Sequence, residues 1–145
     1  MPTILGQEYS TTWRGKPPHM LAPDIPIWYR FLQQHGPQFL KLYYDCLLGG
    51  PDLTADQLKD PMNRMSRALL SKRADAIAET NDETWLIEVS ASPGMRALGQ
   101  LLTYHELWKA DPKLSKTIRL ILVADVIDID IAPAYARFLI SVYLV

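Results

Sequence analysis

Residues 74–79 and 84–90 are short and mostly apolar, and the turn-forming stretch Thr80-Asn81-Asp82-Glu83 lies between them, so this part of the chain is predicted to form a β-hairpin. Whether the turn is the Asn81-Asp82 pair or all four residues, symmetric closure sets Asp75 directly opposite Glu88. Directly opposed residues of an antiparallel pair share one face and hold their Cβ atoms about 4.5 to 5.5 Å apart. Period-two alternation brings Ser90 to that face as well. Two carboxylates held so close repel each other unless a positive group stands between them. A hard divalent cation, Mg²⁺ or Mn²⁺, meets that need, because it takes carboxylate oxygens and keeps water and phosphate as further ligands.

The elements around the hairpin follow from periodicity and breakers. Residues 1–23 contain Pro2, Pro17, Pro18 and Pro23 with no sustained apolar period, and read as an extended N-terminal arm. Residues 24–145 read as one domain. Ile27, Trp28, Phe31 and Leu32 have helical spacing within residues 25–35, with Asp24 as the expected N-cap and Gly36-Pro37 as the stop. Residues 39–48 are expected to form one strand, ended by Gly49-Gly50-Pro51, and residues 54–70 a polar connection with some helix. A helix is expected over residues 95–110, closed by Asp111-Pro112. A buried strand over 117–123, a short helix over 131–138 and a last strand over 139–144 complete the chain. Leu98, Leu101, Leu102 and Leu107 form the expected core face of the longer helix. Trp13 and Trp28 are expected to be packing anchors.

Composition bounds the function classes. A chain of 145 residues fits a single domain, and a domain of this size buries about 68 to 70% of its unfolded surface. The formal net charge is −1, which argues against tight nonspecific binding of DNA, since that relies on clustered Lys and Arg. Cys46 is the one cysteine, so no internal disulfide forms and a reducing compartment is expected. No secretory leader is expected at the start, and no apolar run reaches the roughly 18 residues needed to cross a bilayer.

Asp75 on one strand, the triplet Glu88-Val89-Ser90 ending the next, the small-residue loop Ala91-Ser92-Pro93-Gly94 and a helix carrying Gln100 and Tyr104 together resemble the PD-(D/E)XK nuclease superfamily. Gln100 and Tyr104 match the Q-x-x-x-Y element of its RecB-like branch and lie on one helical face. Residues 86–89 with 97–102 look especially like small proteins encoded by tailed bacteriophages. The resemblance covers residues 73–108 best, residues 24–50 and 117–145 less, and the first 23 not at all. It implies an α/β fold with a mixed sheet flanked by helices in the order α-β-β-β-α-β. It also implies a catalytic set of Asp75, Glu88, Ser90, Gln100 and Tyr104, with metal ligands from Asp75, Glu88 and Val89.

Two departures shape the functional expectation. The triplet of the family ends in Lys, which orients the attacking water and neutralises phosphoryl charge, whereas this chain has Ser90. Losing one such electrostatic contact costs roughly a hundred- to a thousand-fold in rate. Many members carry a Glu on the first helix, and none occurs within residues 24–36. Lys72, Arg73 or Arg96 could replace the missing cation, and spacing places none of them at the site. With Arg64 and Arg67 these residues could instead track phosphates, or form a solvated helix face. The leading expectation is a catalytically degenerate nuclease-fold protein serving as a structural or adaptor component of a phage particle, in its head or head-tail region. It would contact other phage proteins or copies of itself through residues 1–23. The alternatives are a deoxyribonuclease dependent on Mg²⁺ or Mn²⁺ and a non-cleaving nucleic-acid-binding module. All three place the protein in a virion or host cytoplasm, with no membrane partner.

Overall fold

A computed structural model describes residues 2–145. In chain order these form β1 (Glu8–Tyr9), α1 (Ile25–His35), β2 (Lys41–Tyr43), β3 (Leu47–Leu48), α2 (Pro61–Leu70), β4 (Lys72–Arg73) and β5 (Ala76–Glu79). Then come β6 (Glu83–Ser90), α3 (Met95–Ala110), β7 (Thr117–Ala124), α4 (Ala132–Arg137) and β8 (Ile140–Leu144).

The expected hairpin is β5–β6, antiparallel, with Ala76 opposite Ile87 and Glu79 opposite Thr84. Its turn is held by Thr80, whose backbone N–H donates to the Glu83 carbonyl at 2.9 Å and whose hydroxyl accepts from the N–H of Glu83 at 2.9 Å. This hairpin sits inside a six-stranded mixed sheet of order β1-β2-β5-β6-β7-β8, with β3 and β4 forming a separate two-stranded ribbon. β6, β7 and β8 run parallel. Parallel neighbours need a crossover, and α3 and α4 supply them.

Alternation along the central strands divides the interior into two layers. Trp85, Ile87, Val89, Ile121 and Val123 pack with Ile27, Trp28, Phe31 and Leu32 of α1. Ile77, Leu86, Leu120 and Leu122 pack on the other face with Leu101, Tyr104 and Trp108 of α3 and Tyr135 of α4. The architecture is therefore α/β, a mixed sheet with helices on both faces. Trp28 is a packing anchor as expected: it is fully buried, and its indole N–H donates to the Tyr44 hydroxyl at 2.9 Å. On α3 the buried stripe is Ala97, Leu101, Tyr104 and Trp108, while Leu98, Leu102 and Leu107 are half-buried at its margins.

Two elements differ from expectation. The single strand over 39–48 is two, because β2 pairs with β5 whereas β3 leaves that sheet to pair with β4. The segment 54–70 is a connection with helix as expected, a short 3-10 turn at 57–59 followed by α2. The boundary falls at Pro61, which has no N–H to continue a helix, and Asp60 caps the new start by accepting from the Met62 N–H at 2.9 Å. The segment 2–23 is extended as expected, yet it lies along the domain rather than away from it. β1 joins the main sheet beside β2, Ile4 bridges to Leu47, and the Thr3 N–H donates to Asp111 at 2.9 Å. Among the described residues no helix is long and apolar enough to cross a membrane.

Candidate functional site

The β5–β6 ladder stops one residue short of Asp75, and the Asp75 side chain continues it. The Val89 N–H, which would otherwise seek a ladder carbonyl, donates to Asp75 Oδ2 at 2.8 Å. That bond pins the carboxylate beside Glu88, and the two acids interact electrostatically. Tyr104 in turn interacts with Glu88, and Gln100 with Tyr104. The i, i+4 spacing on α3 thus builds a polar chain of four side chains, running from the Gln100 amide through Tyr104 and Glu88 to Asp75.

Burial dominates the electrostatics of the pair. It raises Asp75 to about 6, an effect that the Val89 hydrogen bond opposes. It raises Glu88 further, to about 9, with the neighbouring Asp75 charge adding to the effect and the Tyr104 hydroxyl opposing it. Burial and mutual repulsion thus both favour the protonated form of the pair. Buried acids that keep a proton for lack of a counter-charge are a good donor set for a hard cation.

The pair opens on a cavity of about 300 Å³. Val89, Ser90, Gln100 and Arg96 line it beside the two acids, and so does Asp24. It lies at the carboxyl end of β6, where open α/β sheets place their ligands. The first turn of α3 borders it through Gly94, Arg96 and Ala97, with no side-chain cap on the helix start. The acids thus face a cavity that also touches the start of α3 and Arg96. Among the described residues no group of three or more His, Cys, Asp or Glu side chains could hold an ion unaided. Asp75 and Glu88 line the cavity together with Val89, and Asp24 is a third carboxylate on its wall.

Asp24 corrects the sequence reading. It occupies the N-cap position of α1 but makes no capping hydrogen bond. Its Oδ1 accepts from the Ala91 N–H at 3.3 Å, and burial raises its pKa. Pro26, the second helical residue, removes one of the two N–H groups such a cap could bind, and the side chain takes another partner. Leu21, also at the cavity, gave no signal in its own segment.

The basic residues separate clearly. Arg96 lines the cavity. Arg64 donates to the Leu58 and Lys59 carbonyls, and buried Arg67 donates to the Pro2 carbonyl. Lys72 donates to the Leu70 carbonyl at 3.3 Å, and Arg73 pairs with Asp45 at 3.1 Å. These four serve the packing of α2 and the N-terminal segment, and none borders the cavity.

No family model, no curated protein and no solved structure matches this chain.

Proposed function

We propose that the fold is of the PD-(D/E)XK type and that its cavity is a divalent-cation site for hydrolysis of nucleic-acid phosphodiesters. The observation that carries this reading is the Asp75–Glu88 pair, a half-buried and a buried carboxyl held together and lining a cavity that Arg96 also lines. Within the main sheet the succession α1, β2, β5, β6, α3, β7 supports the fold assignment, with α2 and the β3–β4 ribbon inserted between β2 and β5. Energetics support a retained role, since a buried acid pair without a cation costs stability, and such costs concentrate at functional sites.

Asp75 and Glu88 would hold Mg²⁺ or Mn²⁺, which supplies Lewis acidity and a more acidic bound water. Tyr104 and Gln100 orient Glu88, and the Val89 N–H orients Asp75. Arg96 stands where a cation can face phosphoryl charge, the role that the missing lysine leaves open. Ser90 lines the cavity and offers only a neutral hydroxyl, so turnover is slow, roughly a hundred- to a thousand-fold below a lysine-bearing site.

A second reading is favoured by that same Ser90: a degenerate site in a structural or adaptor component of a phage particle. Incubation with linear and circular DNA plus Mn²⁺ separates the two. Cutting that Asp75→Ala abolishes supports the enzyme. No cutting by wild type together with cutting by Ser90→Lys supports the degenerate site, and no cutting by either protein overturns the hydrolase.

A further inference from the structure

We propose that a second cavity, walled by the N-terminal segment, β3 and α2, binds an amphipathic monocarboxylate, its carboxylate held by Arg67 and Arg64 and its hydrocarbon tail by Ile4, Leu47 and Leu58. This cavity shares no residue with the one at Asp75 and Glu88, so the inference stands apart from the hydrolase reading.

The cavity measures about 350 Å³, and its wall consists of Ile4, Leu47, Leu58, Arg64 and Arg67. A backbone bridge builds one side of it. The Ile4 N–H donates to the Leu47 carbonyl at 2.9 Å and the Leu47 N–H to the Ile4 carbonyl at 2.8 Å. Residues paired in this way turn their side chains to one face, so two aliphatic groups stand together. Arg64 and Arg67 are three residues apart on α2 and share a helical face on the other side.

The charge of this wall is one-sided. Arg67 is 4% exposed, its one hydrogen bond goes to the Pro2 carbonyl, and its Nε is buried without a partner. Arg64 donates to the Leu58 and Lys59 carbonyls at 2.6 and 3.1 Å. All of these acceptors are neutral. α2 contains no Asp or Glu, and among the described residues neither guanidinium enters an ion pair. Of the acids just before α2, Asp60 caps the helix and Asp56 pairs with Lys59 at 3.5 Å. A guanidinium taken out of water is costly unless an anion offsets its charge. A carbonyl dipole offsets part of that cost, whereas a carboxylate supplies the counter-charge and matches the planar donor fork.

The same carbonyls locate the two charges. Those bound by Arg64 belong to Leu58, itself in the wall, and to its neighbour, and the one bound by Arg67 lies two residues before Ile4. Both guanidinium groups are thereby tethered at the margin of an aliphatic surface, and the complement is an anionic head on an apolar tail. A small inorganic anion gains nothing from Ile4, Leu47 and Leu58, and a neutral hydrocarbon leaves the charge unmet. The volume lies in the range of small-molecule cavities, about 300 to 1,000 Å³, and suits a chain of several carbons.

The test titrates the full chain with octanoate, 1-octanol, acetate and inorganic phosphate while following the Nε–H resonances of ¹⁵N-labelled arginine. Octanoate should shift the Arg64 and Arg67 resonances together, with a Kd on the order of 1 mM or tighter. Octanol lacks the charge, and acetate and phosphate lack the tail, so each should bind at least about tenfold more weakly. Arg64→Gln should weaken octanoate binding about threefold. Leu58→Asp sets a competing carboxylate in the wall and should weaken it at least about tenfold. Both variants leave the contact between Arg67 and Pro2 in place, and the ligand comparison on the unaltered chain decides the matter even if either variant fails to fold. Octanol, acetate or phosphate binding as tightly as octanoate overturns the proposal, as does an octanoate affinity unchanged in folded Leu58→Asp. Absence of a saturable octanoate shift at Arg64 and Arg67 overturns it as well.

Discussion

Replacing Glu88 with Gln should stabilise the metal-free protein, by an amount that depends on pH. In the folded chain burial and the Asp75 charge raise Glu88 from 4.5 to about 9. Below pH 4.5 both folded and unfolded chains carry the proton, and the group adds no pH dependence. Above that value the unfolded chain releases the proton while the folded chain keeps it, so stability falls as pH rises towards 9. At 1.36 kcal/mol per unit, the loss accumulated by pH 7 reaches an upper limit of about 3 kcal/mol. Gln has the shape of the protonated acid, accepts from Tyr104, and donates to Asp75 without titrating. Urea unfolding of metal-free protein between about pH 5 and pH 8 should show Glu88→Gln gaining on wild type at every step. Saturating Mn²⁺ should reverse the ranking, because only wild type keeps both carboxylates. Parallel stability curves for the two proteins across that range would refute the account of the acid pair.

Further outcomes follow from the same geometry. Tyr104→Phe removes a hydroxyl that favours the charged form of Glu88, so Mn²⁺ affinity at pH 7 by calorimetry should drop roughly 10- to 100-fold with the fold retained. Gly50→Ala should cost about 2 kcal/mol or more in urea unfolding. Gly50 has φ of +84°, and a Cβ there would lie 2.3 Å from Ser71 Oγ, itself bonded to the Gly49 and Arg67 carbonyls. Asp60→Ala removes the cap of α2 and should cost about 1 kcal/mol by the same measurement.

The hairpin was legible because its evidence is local: a four-residue turn and two apolar runs fix a register, and the register fixes which acids meet. Gln100 and Tyr104 were singled out by the resemblance to the Q-x-x-x-Y element, and their helical spacing sets both on one face of α3, towards Glu88. Asp24 was not, because its partner Ala91 is 67 residues away and cap preference offered a nearer explanation. The N-terminal segment was misleading in the same way. Its prolines do keep it extended, but its docking depends on Leu47 and on Asp111, which is 108 residues from Thr3. The cluster from Arg64 to Arg73 left a phosphate track and a solvated helix face both open, because sequence shows charge and not what the charge already holds. Its partners are carbonyls and Asp45, contacts that carry no compositional signature.

The three parallel strands β6, β7 and β8 all point their carboxyl ends towards the same rim of the molecule. Glu88 sits on the first of these strands with Asp75 beside it just before β5, while the 125–130 loop leaves the second. That division separates the chemistry from the entrance. Lengthening or recharging the loop would redirect which molecules arrive without disturbing the ladder that aligns the acids, so diversification of this scaffold has an inexpensive route that begins at Asp125.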